Sequence, residues 1–155
     1  MIVEPATLED AKEILPLQKL AYASEAEIYN DFSIQPLIQT FEQLQNELEN
    51  RFCLKASIDG RIVGSVRASL REGTCHIGKL IVHPDFQNRG IGSRLMEEIE
   101  RAFPRAERFE LFTGHRSKRN LRLYERLGYR VFASEPATDS LTIVFLEKRS
   151  AFQGK

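Results

Sequence analysis

The stretch LIVHPDFQNRGIGS, residues 80–93, reads as a strand, a tight loop and the start of a helix. Leu80 to Val82 are apolar, His83-Pro84 ends the strand, and an apolar stripe at helical spacing begins at Ile91. At such a junction the first backbone N–H groups of the helix have no intrahelical partner, and the helix dipole adds positive charge. Two glycines let a ligand approach the backbone closely. The stretch therefore predicts an anion site, with phosphate as the first candidate.

The loop lacks residues that two common nucleotide-binding loops require. A Walker A loop ends in Gly-Lys-Ser/Thr, whereas Gly92 is followed by Ser93 and Arg94. A dinucleotide-binding loop needs a third Gly or Ala at the position that Leu95 occupies. Both nucleotide interpretations are therefore disfavoured. Taken alone, the pair of glycines is better explained as the ordinary start of a helix.

A second segment, NLRLYERLGY at residues 120–129, predicts another helix. Asn120 and Tyr124 lie one turn apart on the same side of this helix, and Gly128 suits its left-handed C-terminal position. A tyrosine in an apolar stripe is usually a core residue, so this segment alone favours a structural role.

Together the two segments resemble the GNAT superfamily of N-acetyltransferases. The match rests on Val-x-Pro followed by Gln-x-x-Gly-x-Gly, and on Asn-x-x-x-Tyr-x-x-x-Gly-Tyr. The resemblance covers residues 50–146, and it implies one N-acetyltransferase domain over residues 1–155. The implied fold is α+β, a three-layer α/β/α arrangement with about four helices. Its mixed, mostly antiparallel sheet has seven strands and is splayed between the fourth and the fifth.

The resemblance also implies acetyl-coenzyme A as the acyl donor, with no metal. The strand end would bind the pantetheine arm through its backbone, the loop would hold the pyrophosphate, and Asn120 would contact the cofactor arm. The residues implied are Leu80, Ile81 and Val82 for pantetheine, and Gln87, Asn88, Arg89, Gly90, Ile91, Gly92 and Ser93 for the phosphates.

The implied chemistry is direct attack of a primary amine on the thioester in a ternary complex. Tyr124 would sit beside the sulfur, where a phenol with a pKa of ~10 can protonate a departing thiolate. The backbone N–H of Val82 is our choice for the oxyanion donor. The resemblance does not fix the general base that removes a proton from the amine. Some family members carry a glutamate eleven positions before Gln87, where this chain has His76. His76 as the base, His76 as a solvent-facing strand residue, and deprotonation through water all stay open.

Hydrophobic periodicity and turn residues predict the remaining elements. Pro16 predicts a kink or an interruption of the first helix. Periodicity is weak over residues 24–39, with a loop at 33–36. The predicted strands cover residues 2–6, 52–58, 61–70, 74–82, 108–113, 129–133 and 141–146, and the helices after the first cover 41–50, 91–102 and 117–127.

Acidic and aromatic side chains in the N-terminal part suit a cationic amine acceptor through charge and cation–π attraction. Solvated acids around a core would give the same pattern. The residues concerned are Tyr22, Glu25, Glu27, Tyr29, Asp31 and Phe32.

Composition indicates which cellular compartment and which partners to expect. No apolar run approaches a membrane span, no signal peptide is visible, and Cys53 and Cys75 have no metal-ligand spacing. We therefore expect a cytoplasmic protein with two small buried cysteines and no membrane partner. Residues 1–50 carry a net charge of −8 and residues 51–155 one of +8. Because the basic residues are interspersed with glutamates, we expect no nucleic-acid partner. A non-catalytic module that binds acetyl-coenzyme A is the alternative function, and a homodimer is left open.

Overall fold

The computed structural model describes residues 1–150, in which the central element is a mixed sheet. Its seven strands are β1 (Ile2–Pro5), β2 (Phe52–Ile58), β3 (Arg61–Arg71), β4 (Thr74–Val82), β5 (Arg108–Gly114), β6 (Arg130–Pro136) and β7 (Thr142–Arg149). They are arranged in the order β1-β2-β3-β4-β5-β7-β6. Neighbours are antiparallel except β4 and β5, which are parallel. The predicted α+β class and seven-stranded, mostly antiparallel sheet are confirmed.

Helices cover both faces of this sheet. The segments are α1 (Ala11–Tyr29), α2 (Gln35–Ile38), α3 (Phe41–Asn50), α4 (Ile91–Arg101) and α5 (Lys118–Arg126). α1 and α3 pack on one face over a buried apolar cluster. α4 packs on the other face over a larger cluster, to which α5 contributes Tyr124. This is the predicted three-layer arrangement with four long helices. The short α2 begins inside the segment predicted as a loop.

The first helix is longer than the sequence predicts. Pro16 does not interrupt it, and α1 continues to Tyr29. A proline cannot donate to the carbonyl four residues earlier, that of Lys12. Both residues lie on the exposed side, so water can satisfy that carbonyl. The weakly periodic part is held by buried Ala26 and Tyr29, and the helix ends at Asn30, which has a left-handed φ of 50°.

Two tight turns build the β2–β3–β4 meander. Asp59 and Gly60 have φ values of 52° and 79°, and Glu72 and Gly73 have values of 51° and 83°. Two consecutive left-handed residues form the turn whose twist matches a two-residue hairpin. Both predicted turn pairs therefore act as the sequence indicates.

β4 and β5 are paired over only three residues each, Thr74–His76 against Arg108–Glu110. Beyond that ladder β4 contains a bulge, where its register with β3 shifts and Lys79 has a left-handed φ of 49°. A cleft of about 610 Å³ opens beside the unpaired end of β4. The predicted splay between the fourth and fifth strands is confirmed.

Candidate active site

The cleft is enclosed by α1, the end of β4, the loop before α4 with the first turn of that helix, and α5. Most of the predicted cofactor residues line it. These are Leu80, Ile81, Val82, Gln87, Asn88, Gly90, Ile91, Gly92, Ser93 and Asn120. Two predicted residues, Arg89 and Tyr124, are not among the lining residues.

Gly90 and Gly92 shape the loop end of the cleft. Gly90 caps α4 with a left-handed φ of 79°. A Cβ on Gly92 would lie 3.3 Å from Cδ2 of Leu123 on the opposite wall, so the glycine keeps the cleft open there. The N–H of Arg94 donates to the carbonyl of Gly90 at 3.0 Å. The N–H groups before Arg94 therefore have no intrahelical partner and, with the helix dipole, can hold an anion.

One wall of the cleft is basic. Four cationic side chains of α5 line it: Lys118, Arg122 and Arg126, which are one turn apart, and Arg119. Arg119 also donates to Oδ1 of Asn88 at 3.3 Å, which joins this wall to the loop. Arg89 instead stacks over the ring of Phe86, 5.0 Å from its centre. These four cations were not predicted as site residues, although their recurrence along a predicted helix was the available signal.

The side chain of Asn120 is oriented by two acceptors. Its Nδ2 donates to Oε1 of Glu25 at 2.8 Å and to Oγ1 of Thr113 at 3.3 Å. Because Nδ2 provides both donors, Oδ1 is the atom that Asn120 offers as an acceptor to a group in the cleft.

The backbone of β4 offers a donor at the splay. The N–H of His83 donates to the carbonyl of Val63 on β3 at 2.8 Å. Consecutive residues of a strand point their N–H groups to opposite sides. The N–H of Val82 therefore points away from β3, toward the side from which β5 has separated, and can donate to a ligand there.

Tyr124 lies in the core immediately behind the cleft, and 6% of its surface is exposed. Burial raises its pKa, and the neighbouring Tyr22 phenol and Glu25 carboxylate raise it further. Both of those residues line the cleft. The phenol therefore stays protonated at neutral pH and is able to donate a hydrogen bond. Tyr124 can be a core residue and still serve as a proton donor, because the part of the core that it occupies adjoins the cleft.

The sequence pattern that defines the acetyltransferase (GNAT) family matches residues 14–129. The chain belongs to the GNAT acetyltransferase family. Within residues 1–150, every residue that lines the cleft falls inside the matched span. The cleft is therefore part of the GNAT domain itself.

Individual relatives are more distant. The chain is 28% identical over 133 residues to UPF0157 protein YqkA of Bacillus subtilis (strain 168), a match that covers 86% of the chain and 38% of that relative. Among solved structures, PaiA N-acetyltransferase from Thermoplasma acidophilum in complex with coenzyme A has a TM-score of 0.81 at 20% identity, over 97% of this chain and 100% of that one. Ribosomal-protein-alanine N-acetyltransferase from Brucella melitensis has a TM-score of 0.77 at 19% identity, over 97% of this chain and 100% of that one. At these identities the likeness establishes a shared GNAT fold.

His76 lies outside the cleft lining of this GNAT domain. It is in the part of β4 that still pairs with β5, opposite Glu110. Its Nε2 is 3.3 Å from Nη2 of Arg71. Burial lowers the pKa of the imidazole, and the positive charge of Arg71 lowers it further. A base role for His76 stays a prediction.

The fold brings only some of the N-terminal acidic and aromatic residues to the cleft. Tyr22 and Glu25 line the cleft, whereas Glu27 and Phe32 are exposed outside it and Asp31 accepts hydrogen bonds from Ser33. Tyr29 is buried, and its hydroxyl accepts from the N–H of Arg116 at 2.8 Å. Only two of the six predicted acceptor-side residues thus face the cleft.

Three further sequence predictions can be compared with residues 1–150. No group of three or more His, Cys, Asp or Glu side chains in that range could hold a metal ion. No helix within it is long and apolar enough to cross a membrane. Cys53 and Cys75 are buried strand residues, as predicted, and burial raises the pKa of their thiols to about 11 and about 12.

Proposed function

We propose that the protein transfers the acetyl group of acetyl-coenzyme A to a primary amine of a small molecule or peptide, by direct attack in a ternary complex. One observation carries this proposal. A single cleft combines a loop whose free N–H groups can hold an anion, a basic wall on α5 and the carboxylate of Glu25, whose charge acts on the buried phenol of Tyr124. A donor with a polyphosphate tail suits the loop and the wall, and a cationic amine suits the carboxylate.

The residues of the cleft fit coenzyme A. The glycine at position 92 leaves room that a side chain would fill, and the N–H groups at the start of α4 suit a pyrophosphate. Lys118, Arg119, Arg122 and Arg126 would neutralise the phosphate charges. Oδ1 of Asn120 would accept from an amide N–H of the pantetheine arm, along the backbone of Leu80–Val82.

Acetyl-coenzyme A supplies a thioester carbonyl that a neutral amine can attack. The N–H of Val82 would donate to the carbonyl oxygen as negative charge develops there. The phenol of Tyr124 would donate its proton to the departing sulfur. Because burial raises its pKa, Tyr124 is protonated at neutral pH and available for this role.

The state of the cysteines supports direct attack over a covalent route. A cysteine nucleophile acts as its thiolate. Cys53 and Cys75 are buried, and with pKa values of about 11 and about 12 their thiols remain protonated at neutral pH.

The test is release of coenzyme A thiol from acetyl-coenzyme A in the presence of a panel of primary amines. We expect amine-dependent thiol release, with the acetylated amine identified by mass spectrometry. Binding of acetyl-coenzyme A without turnover of any amine would contradict the proposal and favour the non-catalytic module.

A further inference from the structure

The charged residues that line the cleft are unequally distributed in sign. Within the described residues, four are cations, all on α5, and Glu25 on α1 is the one acid. A carboxylate would repel the phosphates that the cations suit, so Glu25 has no role in holding that end of the cofactor. Its presence points to a second ligand of opposite charge.

Glu25 is hydrogen-bonded but not ion-paired. Its Oε2 accepts from Oγ of Ser117 at 2.9 Å, and its Oε1 accepts from Nδ2 of Asn120 at 2.8 Å. Both donors are neutral, and no ion pair to Glu25 forms within residues 1–150. A partly buried carboxylate without a cation carries an uncompensated charge. Since a carboxylate can accept about four hydrogen bonds, it retains the capacity to bind an ammonium group.

A directed chain of hydrogen bonds holds this carboxylate in place. The N–H of Arg116 donates to the hydroxyl of Tyr29 at 2.8 Å, and that hydroxyl lies 2.9 Å from Oγ of Ser117. The single proton of Ser117 goes to Glu25, which only accepts when ionised. Tyr29 must therefore donate to Ser117, so every proton in the chain points toward the carboxylate. Glu25 is thus oriented before any ligand enters.

We propose that Glu25 binds the ammonium group of the acceptor and removes one proton from it before the attack, an inference that rests on the proposed function. The ammonium nitrogen gives its first proton to the carboxylate, and the resulting amine forms the C–N bond. As the C–S bond breaks, the proton of Tyr124 goes to sulfur, and a second proton from nitrogen restores the phenol. Glu25 finally releases its proton to water, so the net reaction yields one proton.

The surroundings of Glu25 raise its pKa, which is the direction that strengthens a carboxylate as a base. Burial raises its pKa, against the lowering effect of the hydrogen bonds from Ser117 and Asn120. The titratable groups that face it are Tyr22 on α1 and Tyr124 on α5, with Tyr29 behind Ser117 and the four cations of α5 along the same cleft. Burial raises the pKa of both Tyr22 and Tyr124, so neither ionises in the neutral range.

The test compares Glu25→Gln with Glu27→Gln, an exposed control on the same helix. With an alkylamine, kcat/KM of the wild type should rise with pH as the carboxyl group of Glu25 ionises. This rise is the limb of the pH profile that the carboxylate sets. Glu25→Gln should lose that limb and about 100-fold or more of the rate at neutral pH. With an aromatic amine, which is already neutral at pH 7, the loss should be less than about tenfold. The Kd of acetyl-coenzyme A, measured by calorimetry, should change less than about threefold.

Other outcomes separate the alternatives. Equal losses with both amines, together with weaker acetyl-coenzyme A binding, would mean that Glu25 only positions Asn120 and Ser117, and would overturn the inference. A limb that persists in Glu25→Gln but disappears in His76→Gln would assign the base to His76. Absence of turnover by the wild type with every amine would instead overturn the proposed function itself.

Ser117→Ala provides a second test that keeps the carboxylate. It removes a hydrogen bond that lowers the pKa of Glu25, so the limb should move to higher pH. A limb at the wild-type position would contradict the assignment to Glu25, even if Glu25→Gln failed to fold.

Discussion

The guanidinium of Arg67, fully buried in the middle of β3, donates from Nη1 to Oε1 of Glu47 on α3 at 3.2 Å. The other carboxylate oxygen of Glu47 accepts from Nζ of Lys79, the left-handed residue of the β4 bulge, at 2.9 Å. Burial alone would raise the pKa of Glu47, but the charge of Arg67 and the hydrogen bonds from Lys79 and Gln39 hold it at about 2. One carboxylate therefore joins α3, the sheet centre and the bulge beside the cleft.

Removing this carboxylate should be strongly destabilising. We expect Glu47→Gln to lower the free energy of unfolding at pH 7 by about 3–5 kcal/mol, because the buried guanidinium of Arg67 then lacks its countercharge. Urea denaturation measures the change. Glu42→Gln, at an exposed position of the same helix, should alter stability by less than about 0.5 kcal/mol.

The ion pair of Glu47 with Arg67 also predicts how the free energy of unfolding depends on pH. The folded-state pKa of Glu47, about 2, is below its unfolded value of about 4.3. Its contribution is therefore complete above the unfolded pKa and is lost as pH falls through the folded one. The difference between wild type and Glu47→Gln should shrink between pH 5 and pH 2, and a constant difference would refute this account.

Filling the loop end of the cleft should block the cofactor. Gly92→Val places side-chain atoms against Leu123 on the opposite wall, so we expect the Kd of coenzyme A to rise about tenfold or more. Calorimetry measures the Kd. Gly78→Ala is the matched control, since its Cβ would be 3.5 Å from the nearest atom, in Arg51, and outside the cleft. Unchanged binding by Gly92→Val would remove the loop from the cofactor site.

The basic wall should make cofactor binding dependent on salt. Arg122→Gln combined with Arg126→Gln removes two of its four cations, and we expect the Kd of coenzyme A to rise about tenfold at low salt. The difference from wild type should narrow near 1 M salt, where charges are screened within about 3 Å. Arg130→Gln, an exposed cation on β6, is the control. A loss that is independent of salt would argue against an electrostatic role.

Tyr124→Phe separates chemistry from binding. If the phenol protonates the departing sulfur, kcat should fall about 100-fold while the Kd of acetyl-coenzyme A stays unchanged. Tyr129→Phe removes a neighbouring hydroxyl that donates to Glu100 at 2.7 Å, so it should lower stability without a comparable loss of kcat. Equal kcat values for Tyr124→Phe and wild type would remove Tyr124 from the role of acid.

Local patterns in the sequence predicted the local parts of the site well. The strand, loop and helix around Gly90 are contiguous, so spacing alone locates them. The pairing of Glu25 with Ser117 joins residues 92 positions apart, and nothing in either segment indicates the other. His76 illustrates the opposite problem. Its distance from the loop along the chain was known, but whether it faced the cleft depended on where β5 separates and where β4 bulges.

The three-residue ladder between β4 and β5 divides the sheet into two blocks of strands that share very few backbone hydrogen bonds. Side chains bridge the remaining gap: Glu25 and Tyr29 of α1 both reach Ser117 at the start of α5. The gap is closed at one end by backbone hydrogen bonds and at the other by two side-chain hydrogen bonds, Tyr29 with Ser117 and Ser117 with Glu25. The width of the gap therefore depends on these side chains. Substitutions at Glu25, Tyr29 and Ser117 can narrow or widen it while every strand keeps its register.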